Sequence, residues 1–220
     1  MAKQDKQSQR KKKQDRSGGG SGGDSGRYAL YGVAGVGLLA VAGAGYLLYR
    51  EKNVEKPRHR VVEEDGQFEV REYPELLVAE ATVAGERAYA LDKGFGQLAD
   101  YIFAKSRDGE KVAMTAPVLS SSAGKEDWVT RFVMPAHFTR ETLPEAGPGI
   151  RISTLPARKV AAIWFAGPAD DETIGAYEEQ LRHWVGAKKL KVTGEPERAF
   201  YNSPFVPGPM RRTEVLIPIA

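Results

Sequence analysis

Three histidines and a few acidic clusters are the side chains in this sequence that could support acid–base or metal chemistry. His59 lies in a basic segment, His137 follows a Pro-Ala pair, and His183 precedes a tryptophan. No two of them have a metal-ligand spacing such as HxxxH, and the absence of cysteine excludes thiolate sites and disulfides. Exposure to solvent is therefore the simplest interpretation of all three, and His137 is the one to test as a metal ligand.

The acidic clusters at residues 63–65 and 170–172 are typical of turns and helix caps rather than of a pair of catalytic carboxylates. The sequence contains no Ser/His/Asp arrangement, no phosphate-binding loop and no dinucleotide fingerprint. The sequence therefore offers no set of residues that would support an enzymatic function. The net charge is only +3 and the basic excess lies mostly before residue 60, so no nucleic-acid footprint is evident.

A stretch that reads as two short strands, residues 68–85, returns 82 positions later as residues 150–167. The matching residues are Pro74 and Pro156, Val78 and Val160, Ala79 and Ala161, and Gly85 and Gly167. A helical segment, a Ser/Thr-Pro turn and an apolar strand ending in proline follow each copy. This recurrence predicts an α+β domain of two strand-helix-strand halves related by a pseudo-twofold axis. We expect residues 68–85 to superimpose on residues 150–167, and Pro117 on Pro204.

Two segments have the apolar spacing of amphipathic helices that pack on a sheet. In residues 86–104 the predicted buried stripe is Ala88, Leu91, Phe95, Leu98 and Ile102. Gly94 and Gly96 weigh against this helix, and its opposite side, with Tyr89 and Lys93, is mixed enough to border a groove. In residues 171–185 the stripe is Ile174, Tyr177, Leu181 and Trp184 or Val185, with Asp170 or Asp171 as N-cap and Gly186 as the stop.

Residues 28–49, from Tyr28 to Tyr49, are an uncharged run of 22 residues. This run is long enough to cross a hydrocarbon core of about 30 Å as a helix, and tyrosines lie at both of its ends. A cleaved signal peptide with its site at residues 40–42 is the alternative. We predict a disordered basic tail (1–27), a transmembrane helix (28–49), a linker (50–61) and one domain (62–220).

The orientation of this predicted membrane protein depends on a small charge difference. Six basic residues lie between residues 10 and 27, ahead of the apolar run, and five follow it up to residue 60. This bias weakly favours a single-pass protein with its tail inside and its domain on the extracytoplasmic side. The basic cluster of the tail could alternatively bind anionic lipid headgroups.

Three motifs occur in a fixed order: FEVREYP at residues 68–74, KVAMTAPV at 111–118, and YNSPF at 201–205 followed by RRTEV. In the second motif, Pro117 fixes its own φ and biases Ala116 towards extended backbone. Met114 offers a polarizable side chain that suits either a core or a ligand. In this order and spacing the motifs resemble the SOUL family of heme-binding proteins, over about residues 62–220.

The resemblance implies a distorted, mostly antiparallel β-barrel with two helices, built from a duplicated half. It also implies that heme or another tetrapyrrole binds in an apolar groove bordered by the first helix and by residues 203–212. The cofactor-binding residues expected from it are Tyr89, Lys93, Phe95, Met114, Phe205, Met210, Arg211 and Arg212. The two arginines are expected to pair with heme propionates or, alternatively, with Glu214 or solvent.

One departure from the family affects the expected chemistry. Some members carry a histidine in the first strand that has been proposed as a heme ligand, and Glu72 occupies that position here. We therefore expect binding to rest on apolar burial without a metal ligand, His137 being a weak candidate. The alternative function is a binding module for another hydrophobic or cationic small ligand, as in the effector-binding domains of multidrug-responsive regulators. The sequence indicates no protein partner.

Overall fold

The computed structural model describes residues 54–105, 107–203 and 206–220. The expected tail at residues 1–27, the expected membrane helix at 28–49, and Phe205 lie outside these ranges. Of the helices within them, none combines the length and the apolar character that crossing a bilayer requires.

The described residues form nine strands and two α-helices, in the order that the duplicated sequence predicts. The strands are β1 (Arg60–Asp65), β2 (Phe68–Tyr73), β3 (Leu76–Ala84), β4 (Val118–Ser122), β5 (Asp127–Val133), β6 (Ile150–Leu155), β7 (Arg158–Ala166), β8 (Glu197–Phe200) and β9 (Arg212–Ile219). The helices are α1 (Arg87–Ile102) and α2 (Asp171–Ala187), and a 3-10 turn at Gly208–Met210 precedes β9.

All nine strands belong to one antiparallel sheet, in the order β1-β2-β7-β9-β8-β4-β5-β3-β6. The sheet curls into a half-barrel rather than the distorted barrel that the resemblance implied, because β1 and β6 remain as its two edges. Every residue of β1 is exposed, and four of the six are charged. Charged edge strands of this kind resist pairing with a further strand.

The strand order shows the predicted duplication. Leave out β1, and exchange each strand of the first half (β2, β3, β4, β5) for its counterpart in the second half (β6, β7, β8, β9). The strand order read from one edge of the sheet is then the same as the order read from the other edge. The first strand of each half pairs with the second strand of the other half, and the two registers agree. Phe68 lies opposite Ile163, and Ile150 lies opposite Ala81, each residue being 82 positions from its counterpart. The pseudo-twofold axis passes between the neighbouring strands β4 and β8.

The junctions between strand and helix repeat as well. Gly85 after β3 has φ +117° and Gly167 after β7 has φ +128°, a region that favours glycine. Pro117 directly precedes β4. Pro204 lies outside the described residues, so the expected superposition of Pro117 on Pro204 stays a prediction.

Helix α1 packs on the sheet with a face that differs from the predicted stripe. Its buried residues are Ala90, Gly94, Leu98, Tyr101 and Ile102. Ala88 is exposed, and Leu91 and Phe95 are only half-buried. The buried face is shifted because Gly94 is a point of close approach to β5, where a Cβ would lie 2.7 Å from Oγ1 of Thr130. The glycine that weighed against the helix is thus what allows the helix to pack.

Helix α2 follows its prediction more closely. The carboxylate of Asp170 accepts a hydrogen bond from the backbone N–H of Thr173 at 2.8 Å, as expected of an N-cap. The predicted stripe is buried at Ile174, Leu181, Trp184 and Val185, and Tyr177 stacks on Phe165. The helix continues through Gly186 to Ala187, so the predicted stop is wrong, and Lys189 beyond it adopts a positive φ.

Candidate ligand-binding cleft

The segment ahead of β1 is fastened to one end of the sheet through Glu55. The carbonyl oxygen of Glu55 accepts from the N–H of Ala116 at 2.9 Å, and its carboxylate accepts from the N–H of Ala136 at 2.8 Å. The hydroxyl of Thr115 donates to the carbonyl of Val133 at the end of β5. The motif at residues 111–118 therefore joins three parts of the chain. Residues from Glu55 onward contact the domain, ahead of the start that we expected at residue 62.

A cavity of about 590 Å³ lies between this segment, the start of β3 and the end of β5. This volume is within the range of small-molecule sites, roughly 300–1,000 Å³. Its apolar lining includes Leu76, Leu77, Val133, Met134 and Phe138. Val133 and Met134 are buried, while the other three are half-buried. The wall therefore offers apolar surface that a ligand could cover.

The rim of this cavity carries charges of both signs. The basic residues are Lys56, Arg58 and Arg140, and the acidic residues are Glu55, Glu75 and Glu141. Arg140 donates to the carbonyl of Ile152 at 2.9 Å, and Lys56 lies over the ring of Tyr201 at 5.7 Å. Arg58 has no hydrogen bond or ion pair with another described residue. Its guanidinium is thus available to an anionic group of a ligand.

A second cavity of about 350 Å³ adjoins the first. It is lined by Arg58, His59, Arg60, Glu72, Tyr73 and Pro74. Arg58 and Pro74 line both cavities, and we call the two together the cleft. Glu72, at the position where some family members carry a histidine, faces this cleft and pairs with Arg60 at 2.5 Å.

His59 is exposed, as predicted, but one side of its ring lies against a buried aromatic. The centroids of the His59 and Tyr73 rings are 4.9 Å apart. Loss of hydration at this contact, followed by the charge of Arg71, lowers the pKa of His59 below its ordinary value of 6.5. The imidazole is therefore neutral at pH 7 and keeps one ring nitrogen lone pair available.

The residues predicted for the cofactor lie in separate groups. Tyr89 and Lys93 lie together on the exposed side of α1, with the Lys93 ammonium 5.8 Å from the Tyr89 ring centroid. Phe95 and Met114 are both half-buried members of the core cluster under α1. Met210 is exposed, and the Nε of Arg211 donates to the carbonyl of Val206. The described residues of the predicted set do not line the cleft.

Arg212 takes part in a buried ionic network on the inner face of the half-barrel. The carboxylate of Glu214 is fully buried and accepts hydrogen bonds from Arg71 at 2.6 Å, Arg212 at 2.7 Å and Tyr201 at 2.9 Å. Burial acts to raise the pKa of Glu214, but the hydrogen bonds and charges of Arg71 and then Arg212 outweigh it and lower the pKa. Of the alternatives named from sequence, the structure shows the Glu214 ion pair for Arg212.

The remaining candidate residues from the sequence are exposed or make contacts within the fold, and they do not line the cleft. His137 packs beside Phe138 and His183 lies exposed on α2, and neither lines the cleft. Asp65 accepts from the indole of Trp184, and Glu63 pairs with Lys188, so this acidic cluster joins β1 to α2. Across the described ranges, no group of three or more His, Asp or Glu side chains could hold a metal ion.

Sequence reasoning missed the cleft because part of its lining, residues 55–60, had been assigned to the linker. Pro57 and the charges around it suggested a solvated connection, and the anchor at Glu55 depends on contacts with residues 115–136, far along the chain. One signal was present: Pro74 lies just ahead of β3, and Pro135 lies just after β5, the strand that pairs with β3. No local pattern could have shown that these positions meet.

Solved structures with the same fold have little sequence in common with this chain. The C-terminal domain of EcmrR has a TM-score of 0.55 at 17% identity, covering 70% of this chain and 97% of that domain. EcmrR in a complex with DNA has a TM-score of 0.54 at 16% identity, covering 88% and 70%. A hydrolase from Listeria innocua has a TM-score of 0.51 at 12% identity, covering 72% and 94%. At these identities the likeness shows a shared fold alone.

Sequence comparison adds the family. A search of curated proteins found no match. The family model described as SOUL heme-binding protein, however, matches residues 54–218, which is nearly all of the described domain and begins beside the anchor at Glu55. The chain therefore belongs to the SOUL heme-binding protein family.

Proposed function

We propose that this protein binds heme or another tetrapyrrole in the cleft, as a binding, buffering or transport module held at a membrane. The observation that carries the proposal is the family match over residues 54–218. The cleft suits such a ligand chemically, since it combines apolar side chains with basic groups on a rim of mixed charge. A bound heme would supply an iron centre that accepts axial ligands and changes redox state.

In this proposal, apolar side chains of the cleft contact the macrocycle and basic side chains pair with its propionates. Leu77, Met134 and Phe138 cover the apolar faces of the macrocycle, which contributes about 25 cal/mol per Å² of apolar surface before the costs of association. Arg58, at the junction of the two cavities, pairs with a propionate. Lys56 and Arg140 are the other basic groups of the rim.

The surface expected from the sequence is the competing location. There, Tyr89, Lys93 and Phe95 of α1 would cover one side of the ligand, and Met210 and Arg211 the other. This location is supported by two large apolar side chains, Tyr89 and Met210, which remain 54% and 59% exposed. Phe205, which belongs to the same expected set, lies outside the described residues.

The second candidate function is binding of another hydrophobic or cationic small ligand. It is favoured by the three carboxylates on the rim of the larger cavity, at Glu55, Glu75 and Glu141. Binding of a cation is disfavoured at the inner face of the half-barrel. The fully buried carboxylate of β9 there, Glu214, is already neutralised by Arg71 and Arg212. A lipophilic cation would therefore enter through the rim rather than the half-barrel interior.

Membrane attachment is the other part of the proposal. It is supported by the uncharged run at residues 28–49, which lies outside the described residues, and by the weak excess of basic residues before it. Glu55 follows Tyr49 by six residues, which span at most about 20 Å when extended. In this arrangement the domain lies on the extracytoplasmic side, close to the bilayer surface.

The experiment is a titration of the full-length protein with hemin and with metal-free protoporphyrin, comparing two variants that add the same bulk at different places. Ala136→Trp adds an indole at the exposed rim of the cleft, and Ala88→Trp adds one on the exposed side of α1. We expect both ligands to bind, and Ala136→Trp to weaken both at least tenfold while Ala88→Trp leaves them unchanged. The reverse pattern would place the ligand on α1. Binding of rhodamine 6G in place of either tetrapyrrole would support the second function.

A further inference from the structure

Of the three histidines, only His59 lines the cleft among the described residues. It contributes to the smaller cavity together with Arg58 and Tyr73. His137 is exposed beside Phe138, whose side chain lines the larger cavity while His137 does not, and His183 is exposed on α2. A planar ligand with one face towards the smaller cavity would thus meet a single imidazole.

The backbone around His59 is fixed on both sides. Upstream, Glu55 is bonded to residues 115–116 and to Ala136, and the ring of Pro57 fixes its own φ. Downstream, Arg60 begins β1 and pairs with Glu72 both in the strand register and through its side chain. An imidazole held between two such anchors loses little further freedom when it binds a ligand.

The surroundings of the ring suit coordination of a metal. The ring packs against Tyr73, whose side chain is 93% buried, and the interplanar angle is 40°. The lowered pKa of His59 leaves its imidazole neutral at pH 7, as a metal ligand requires. The backbone of Pro57 interacts with the ring as a hydrogen-bond partner. Ligating histidines commonly hold the second ring nitrogen against a backbone carbonyl in this way.

We propose that His59 is an axial ligand to the iron of a heme bound in the cleft, with Arg58 beside it as the partner of a propionate. This inference rests on the proposed function and replaces His137 as the histidine to test. The iron accepts the ring nitrogen lone pair as a coordinate bond, and no electron transfer or proton loss is needed, because the imidazole is neutral.

The test compares hemin and metal-free protoporphyrin on the full-length protein and three single variants: His59→Ala, His137→Ala and His183→Ala. We expect His59→Ala to weaken hemin binding at least tenfold, equivalent to about 1.4 kcal/mol, and to leave porphyrin affinity unchanged. In resonance Raman spectra of the reduced complex, the iron–histidine stretching band should be present in the parent and in the two control variants and absent in His59→Ala. In His59→Gly, added imidazole should restore the ligated absorption spectrum.

Three outcomes would overturn the inference, and they separate it from the proposed function. If both ligands bind and His59→Ala changes neither the hemin spectrum nor the affinity, the iron is not ligated by His59, and tetrapyrrole binding stands. If neither hemin nor porphyrin binds the parent protein, the proposed function fails and the ligand assignment fails with it. Loss of the band in His137→Ala alone would assign the ligand to His137.

Discussion

The contact between Gly94 of α1 and Thr130 of β5 gives a sharp test of how the first helix sits on the sheet. A Cβ at Gly94 would lie 2.7 Å from Oγ1 and 3.0 Å from Cβ of Thr130, distances that force one of the two elements to move. A Cβ at Gly96, two residues along the same helix, would meet nothing within 4 Å. Gly94→Ala and Gly96→Ala are therefore the same chemical change in two different surroundings.

The expected magnitudes follow from two opposing effects. Alanine stabilises a helix over glycine by about 1 kcal/mol at either position. Overpacking at Gly94 costs about 1–3 kcal/mol. The difference between the two variants isolates the packing cost, so Gly94→Ala should be less stable than Gly96→Ala by about 1–3 kcal/mol. At roughly 2–4 °C per kcal/mol for a domain of this size, the gap in unfolding midpoint is several degrees.

The assay is thermal and urea unfolding of the full-length protein in mild detergent, followed by circular dichroism. Thr130→Ala provides the rescue, because the Thr130 hydroxyl is buried with no hydrogen-bond partner among the described residues and its loss should cost little. Combined with Gly94→Ala, it should recover part of the lost stability. Equal stability of Gly94→Ala and Gly96→Ala would refute the close packing of α1 on β5.

Three further predictions test other parts of the account. Glu214→Gln should lower the free energy of unfolding at pH 7 by about 3 kcal/mol, since it removes one of the two carboxylates that neutralise the buried Arg71 and leaves only Glu69. Because the pKa of Glu214 is lowered on folding, its contribution is present above its ordinary value of 4.5 and is lost as the pH falls through the lowered value. The unfolding midpoint of the parent should thus fall more steeply on acidification than that of Glu214→Gln, and parallel curves would contradict the ion pair. Asp170→Ala should lower the midpoint by a few degrees by removing the cap on Thr173, whereas Asp170→Asn, which keeps an accepting oxygen, should lower it less. Residues 28–49 should hold the protein in membranes through high-salt and alkaline washes, while release by salt alone would indicate electrostatic attachment by the basic tail.

The duplicated architecture could be predicted from the sequence because it leaves local traces. The 82-residue spacing, the strand boundaries and the pair Gly85 and Gly167 recur along the chain. The exchange of first strands between the halves leaves no such trace, since pairing of β2 with β7 depends on residues that are distant in sequence. The open edges of the sheet leave no local trace in the sequence either, because an edge strand such as β1 and a strand that closed the barrel would have similar sequences.

The orientation of α1 shows why residue types alone gave only part of the buried face, Leu98 and Ile102. Ala88 and Leu91 fit the apolar period, but a helix packs where its backbone can approach most closely, and Gly94 sets that line. Packing on Thr130 turns Ala90 and Tyr101 inward and leaves Ala88 exposed. Sequence periodicity identified the helix, while the shape of its partner decided which side is buried.

The candidate site was the least predictable part. Its motif, residues 111–118, was recognised, but the structure gives it the role of anchoring Glu55 and the end of β5. Arg212 was expected near a ligand because arginine pairs with carboxylates, and it does pair with one, the carboxylate of Glu214. The cleft arises only when residues 55–58 fold back onto residues 133–141.

The most direct test of the central claim is an experimental structure of the full-length protein after addition of hemin. The account predicts the porphyrin between residues 55–59 on one side and residues 133–141 on the other, with a propionate at Arg58 and iron facing His59. Porphyrin seated instead between Tyr89 of α1 and Met210 would contradict the cleft as the binding site, and a protein that takes up no hemin would contradict the proposed function.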